Sequence, residues 1–357
     1  MNQRGFSLVE FMIALVLGMT VVLGITTLFI DSSKTVTDVN RAHRALENTL
    51  FAIDTIASEA GLIGYWGESS SPIIARQADW GPLRDGEITE GETTGFTNVP
   101  ICIGAGTSGY STKVELGFAM QYPVASSTGD NLNLSQCGLG STPSSDNDFI
   151  SIRRASTCAY TGGSTTCPLV ENTYYIQTNG CYNETIEWYG GEIVIRQVNS
   201  DNVDTAFPYA LYGCVLDAPI YTYVVNTYYI NDQEQLMRLY LDDTNTYVED
   251  MLVEGVEHMS FEWFIDTDGD LEHDIVTDTL SQSHANSIRG VKIWMVIRGL
   301  DRIPDYYDDY TYTIAGEVWE VPEENKSYSR MLMTQMIDIN RVVDIQRSNN
   351  GKGSGRK

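Results

Sequence analysis

Asp266-Thr267-Asp268-Gly269-Asp270 sets three carboxylates at alternate positions, a spacing that suits oxygen ligation of Ca²⁺ by one turn of loop, with Glu272 and Asp274 close enough to assist. Residues 249–278 hold 11 Asp and Glu and no Lys or Arg, so a bound cation would relieve their mutual repulsion. The EF-hand pattern is not met: Leu271 stands where that loop needs glycine, and Thr277 where it needs a bidentate glutamate. A solvated acidic turn between strands is the alternative. Six cysteines, Cys102, Cys137, Cys158, Cys167, Cys181 and Cys214, form no C-x-x-C pair, which disfavours zinc and thioredoxin-like chemistry. In an oxidising exterior they read as disulfides. Nearest-neighbour closure, Cys102–Cys137, Cys158–Cys167 and Cys181–Cys214, is favoured because it is local. Gly104-Ala-Gly106-Thr-Ser-Gly109 matches G-x-G-x-x-G, but no helix start or βαβ unit follows, so it reads as a turn. His43, His258, His273 and His284 form no metal-spaced pair, and Ser108 and Ser283 lack a G-x-S-x-G elbow. No catalytic constellation emerges, and the chain is expected not to be an enzyme.

The elements that must position these residues follow from charge and hydropathy. The 357 residues are 42% hydrophobic, enough for one large or two ordinary domains, and carry a formal net charge of −26. That field repels phosphate backbones, so general nucleic-acid binding is not expected. Residues 1–61 carry 4 basic and 6 acidic groups, net −2, which leaves −24 in residues 62–357, where all the cysteines also lie. From Phe6 to Ile30 the only charge is Glu10. Such a run makes ~37 Å of helix, enough to cross a ~30 Å hydrocarbon core. It is too long for a secretory signal, and its only small-residue cleavage candidate, Gly5, precedes it. Arg4 before the span and Asp31 after it place the start in the cytoplasm and the bulk outside. Glu10 is costly in this span: either it sits near the headgroups, only five residues in, or it calls for a cationic partner, which cleavage after Gly5 would create as the Phe6 amine. Val36, Val39, His43, Leu46, Leu50, Ile53 and Ala57 continue a helical stripe to about Ala60, expected to be a packing seam for the head, with His43 at its edge.

The segment Gly5-Phe6-Ser7-Leu8-Val9-Glu10-Phe11-Met12-Ile13-Ala14-Leu15 resembles the signal of type IV prepilins and pseudopilins. The resemblance implies cleavage between Gly5 and Phe6 by prepilin peptidase, N-methylation of Phe6, and Glu10 as the assembly residue. Further along, Val253-Glu-Gly-Val256, the loop Asp266–Asp270, the strand-like Val291–Arg298 and Arg330–Arg341 resemble the PilW family of minor pilins.

The expected fold is therefore α+β and type IV pilin-like, with a long N-terminal helix packed on a β-rich extracytoplasmic head that contains a disulfide-bearing insertion. Its parts are a leader (1–5), the transmembrane half of the helix (6–30), its amphipathic half (31–61), a cysteine-containing β/loop region (62–245), a C-terminal β-rich pilin region (246–350) and a flexible basic tail (351–357). The resemblance implies a minor pilin in the inner membrane, with a periplasmic head, that joins other minor and major pilins at or near the pilus tip. Adhesion, twitching motility and DNA uptake lie downstream of that role. A minor pseudopilin of type II secretion is the alternative. A membrane-anchored periplasmic enzyme or receptor is a third reading, and it predicts no cleavage at Gly5.

Overall fold

The computed structural model describes residues 7–67, 74–77, 81–82, 123–162, 165–171, 173–181, 192–198, 207–211, 213–242, 244, 246–281, 284 and 287–339. One helix, α1 (Leu8–Ala60), runs unbroken for 53 residues. It is followed by β1 (Ile74–Gln77), β2 (Gly81–Pro82), β3 (Val124–Thr128), β4 (Asp148–Tyr160), β5 (Tyr174–Thr178), β6 (Glu192–Gln197), β7 (Ile220–Ile230) and β8 (Gln235–Leu241). The rest of the chain forms β9 (Tyr247–Glu254), β10 (Val256–Ile265), β11 (Ile275–Thr277), β12 (Ile288–Arg298), β13 (Thr311–Ile314), β14 (Glu317–Glu320) and β15 (Arg330–Asp338). The expected α+β architecture, a long apolar helix joined to a β-rich head, is what the chain adopts.

Among the described residues the apolar half of α1 is exposed throughout, with Leu8 75% and Phe29 71% exposed. Its hydroxyls are satisfied within the helix: Thr20, Thr26 and Thr27 donate to the carbonyls of Leu17, Val22 and Gly24 at 2.8–2.9 Å. No unpaired hydroxyl of these three would therefore face a hydrocarbon environment.

The outer half of α1 enters the head, but not along the expected stripe. Thr49, Ala52, Ile53, Ile56, Ala57 and Ala60 are buried, whereas Val36, Val39, Leu46 and Leu50 are exposed. His43 is exposed as well, with Glu47 3.3 Å away. Arg41, further back, lies 3.6 Å from Asp301 of the head, but full burial by the head is confined to about the last three turns of the helix. There the buried face is turned by roughly a fifth of a circle from the stripe's centre at ~100° per residue. Only Ile53 and Ala57 belong to both.

Two sheets sandwich the buried end of α1. In the larger sheet the order is β2-β1-β6-β5-β7-β4-β3, and β7 also pairs with β8, which pairs with β9. The smaller is antiparallel, β11-β10-β12-β15, and β13 and β14 form a separate hairpin. The apparent run Met251–Ile265 is split between sheets at Gly255. That residue has φ +81°, and a Cβ on it would sit 2.8 Å from the Arg298 carbonyl oxygen. Through the middle of the smaller sheet side chains alternate, and Phe261, Trp263, Val291, Ile293 and Met295 are fully buried in the core that α1 shares; toward the end of β12 Val296 is buried on the other face as well. Arg154 of β4 grips Glu59 with two hydrogen bonds of 2.8 and 2.7 Å, which ties the helix end to the larger sheet.

Candidate functional site

Ser7 caps α1. Its hydroxyl accepts from the Val9 amide at 3.3 Å, and the Glu10 Oε2 atom accepts from the Ser7 amide at 3.1 Å. This is a capping box, with Glu10 in the first turn where its charge also suits the helix N-terminus. The S-x-x-E signature was present in Ser7-Leu8-Val9-Glu10 and would have predicted the box. Gly5 and Phe6 lie outside the described residues. Among the described residues Glu10 has one carboxylate oxygen engaged by its own helix and the other without a partner, an arrangement that leaves it able to receive a second donor.

The acidic loop between β10 and β11 is organised by its own hydrogen bonds. Asp266 accepts from the amides of Gly269 at 2.6 Å and Leu271 at 3.1 Å, and Arg289 lies 3.7 Å from its carboxylate. Asp274 accepts from the Thr267 hydroxyl at 2.6 Å and amide at 2.8 Å. These bonds hold the Asp274 carboxyl below the usual range, the Thr267 hydroxyl contributing most. Asp266, Asp268 and Asp274 each bring one oxygen to within 4.8 Å of the others. Asp270 and Glu272 are not in that group; the Asp270 carboxylate instead accepts from the Glu272 amide at 2.8 Å. Leu271, the misfit to the EF-hand pattern, takes φ +81°, the backbone region for which that pattern supplies glycine.

Cys158–Cys167 and Cys181–Cys214 are disulfides, with Cα separations of 5.9 and 4.8 Å, as nearest-neighbour closure predicts. Cys137 is also disulfide-bonded. Cys102, its expected partner, lies outside the described residues, as do Gly104–Gly109, Ser108 and Ser283.

A buried charge network escaped the sequence reading. Arg330 and Asp308 have fully buried side chains, and Glu257 is 2% exposed. Arg330 binds Glu257 through two nitrogens at 2.5 and 2.9 Å and Asp308 at 3.0 Å. Arg298 binds Glu234 at 2.7 Å, and Asn325 donates to Glu234 at 2.6 Å. Burial pushes the Glu257 carboxyl up, against the pull of Arg330. The network fastens the 299–329 excursion, which carries β13 and β14, to the smaller sheet. Its members are far apart in sequence, so no local signal announces it.

The four histidines are dispersed. His258 stacks on Trp319 at 5.8 Å, and His273 meets Phe264 edge-on at 5.1 Å. Burial pushes His258 down to about 4, although Asp146 opposes the shift.

With this geometry in hand, comparison with known proteins is specific at both ends of the chain. Residues 222–340 match the family Type IV Pilus-assembly protein W, and residues 1–26 match the prokaryotic N-terminal methylation motif. Together these matches support a PilW-type minor pilin, the identification that the chain's own residues had suggested. The family match starts inside β7 and takes in β8 to β15, so it extends further toward the N-terminus than the segments quoted from sequence. No curated protein matches the chain. Among solved structures, a type IV-like pilin from Thermus thermophilus is similar at 10% identity and a TM-score of 0.28, covering 55% of this chain and 80% of that one.

The depressed His258 predicts a pH dependence with a definite sign. The unfolded chain binds this proton from about 6.5 downward, while the folded head resists it until about 4. Stability from His258 is therefore complete above about 6.5 and is lost as pH falls toward 4. Asp148 and Glu257, both raised by burial, act in the opposite direction, so the comparison must isolate the histidine. Denaturant unfolding followed by tryptophan fluorescence should show wild type losing up to about 2 kcal/mol more than His258→Phe between pH 8 and 5. Parallel stability curves for the two proteins would contradict the assignment.

Proposed function

We propose that this chain is a minor pilin, cut after Gly5, methylated on Phe6 and built into a type IV pilus through α1, in a priming or tip complex with other pilins. The observation that carries the reading is the methylation-motif match over residues 1–26, on a helix whose apolar half is wholly exposed in the isolated chain. Such a surface needs lipid before assembly and neighbouring helices after it. The PilW-family match over the head favours a pilus over a secretion pseudopilus. The head would lie outside the inner membrane before assembly. A pilin acts by packing with its neighbours.

Glu10 is proposed as the assembly residue. In a low-dielectric layer its carboxylate and the Phe6 amine of a neighbouring subunit attract far more strongly than in water. The capping box leaves one carboxylate oxygen for that partner. Gly5→Val should keep the leader and stay in the membrane, because a branched side chain crowds the scissile bond. Glu10→Gln should be processed normally and be depleted from sheared pili by roughly tenfold, the equivalent of ~1.4 kcal/mol. Wild-type incorporation of Glu10→Gln would reduce Glu10 to a helix cap.

For the acidic loop we propose weak Ca²⁺ binding through Asp266, Asp268 and Asp274, supported by their convergence. Thermal unfolding should shift upward from EDTA to millimolar Ca²⁺, following RT ln(1 + [L]/Kd). An unchanged transition would leave the loop as a turn held by Arg289 and its own amides.

A further inference from the structure

The smaller sheet treats its two edges differently. On the β10 side, β11 pairs with Trp263–Ile265. Beyond β11, Asn147 accepts from the Met259 amide at 2.9 Å and Asp148 from the Phe261 amide at 3.1 Å. That edge is closed by a strand and by two side chains. On the β15 side nothing comparable occurs among the described residues. Ile339 donates to the Arg289 carbonyl at 2.7 Å and Gly299 to the Ser329 carbonyl at 2.8 Å, which sets the phase of the β12–β15 ladder. Odd-numbered residues of β15 therefore bond to β12. The amides and carbonyls of Leu332, Thr334, Met336 and Asp338 face away from it, and none has a partner among the described residues. The side chains of Thr334, Met336 and Asp338 are exposed.

An open edge of this length is a template for another strand, and soluble proteins normally blunt it. We propose that β15 accepts an extended segment of a different pilin chain in the same fibre, an inference that rests on the proposed pilin role. The partner follows from position and charge. α1 packs over β12 and β15, so the open strand is the sheet's outermost one beneath the helix that carries the exposed row Val36, Val39, Leu46 and Leu50. A neighbour that docks on this row is brought to the edge. A second copy is disfavoured, because it would set two heads of net charge −24 against each other. Beside the end of the edge, Phe264, Gly290, His273, Arg289 and Met336 line a shallow cleft of about 220 Å³. It stays open because Gly290 has no side chain; a Cβ there would meet Met336 at 2.7 Å. An added strand places alternate side chains on this face, and the cleft, with Arg289, His273 and Asp338 in its lining, receives one of them.

The test uses full-length protein in pilus-producing cells. A photo-crosslinking amino acid at Met336 should give an adduct with another chain bearing an N-terminal methylation motif, identified by mass spectrometry. Thr334→Pro removes only an outward amide and should leave the melting temperature of the head unchanged while the adduct falls about tenfold. Gln335→Pro, whose amide serves β12, should destabilise the head and so verifies the phase. Adducts only within residues 340–357, only with a second copy, or absent from assembled pili would overturn the inference. Failure of the unsubstituted protein to enter pili would instead overturn the pilin role.

Discussion

Thr49, Ala52, Ile53, Ile56, Ala57 and Ala60 are the side chains through which α1 enters the core, and both sheets are placed relative to them. Ile53 and Ile56 are almost fully buried, each worth roughly 1.5–3 kcal/mol of apolar burial. Apolar contact alone leaves rotation of the helix about its axis weakly specified. The Glu59–Arg154 pair supplies direction: it is largely shielded, bidentate, and reaches from the last turn to β4. Such a pair contributes little net stability over an apolar replacement, but loss of one partner strands a charge. The head thus hangs from about three turns of helix, in a fixed orientation.

That attachment determines what the rest of α1 presents. Apart from Thr49, the residues from Leu8 to Leu50 lie outside the buried core, apolar in the first half and striped in the second, where Arg41 lies 3.6 Å from Asp301 of the head. A free chain with this surface is stable only in a membrane or among other helices. The same economy marks the head, where the Arg330–Glu257–Asp308 network locks the 299–329 excursion in place while β15 keeps an open edge. One side of the small sheet is closed by β11 and by Asn147 and Asp148, whereas the other is unpaired among the described residues.

Local signals carried much of this organisation. The span, the Glu10 anomaly and the Ser7–Glu10 spacing lie within a single stretch of sequence, and the apolar alternation in Val291–Ile297 identified β12. Cys158–Cys167 and Cys181–Cys214 were legible because short loops favour local closure. The seam on α1 was misplaced because a helical stripe records which side chains are apolar and not where the head stops. Val36 to Leu50 are as apolar as a core face, yet the sheets do not extend that far. The break at Gly255 leaves no mark in local hydropathy, because close approach to Arg298 is a tertiary fact. The charge network was invisible for the same reason. In the acidic loop, composition pointed to five carboxylates, whereas only Asp266, Asp268 and Asp274 converge and the Asp270 carboxylate is engaged by the Glu272 amide.

The central claim is that α1 is made to be processed and shared. The most direct measurement is the N-terminal peptide of the protein recovered from sheared pili, by mass spectrometry. The account predicts a chain that begins at Phe6, carries one added methyl group on its amine and lacks Met1–Gly5. An intact Met1 on protein confined to the membrane, in cells that make normal pili, would contradict it.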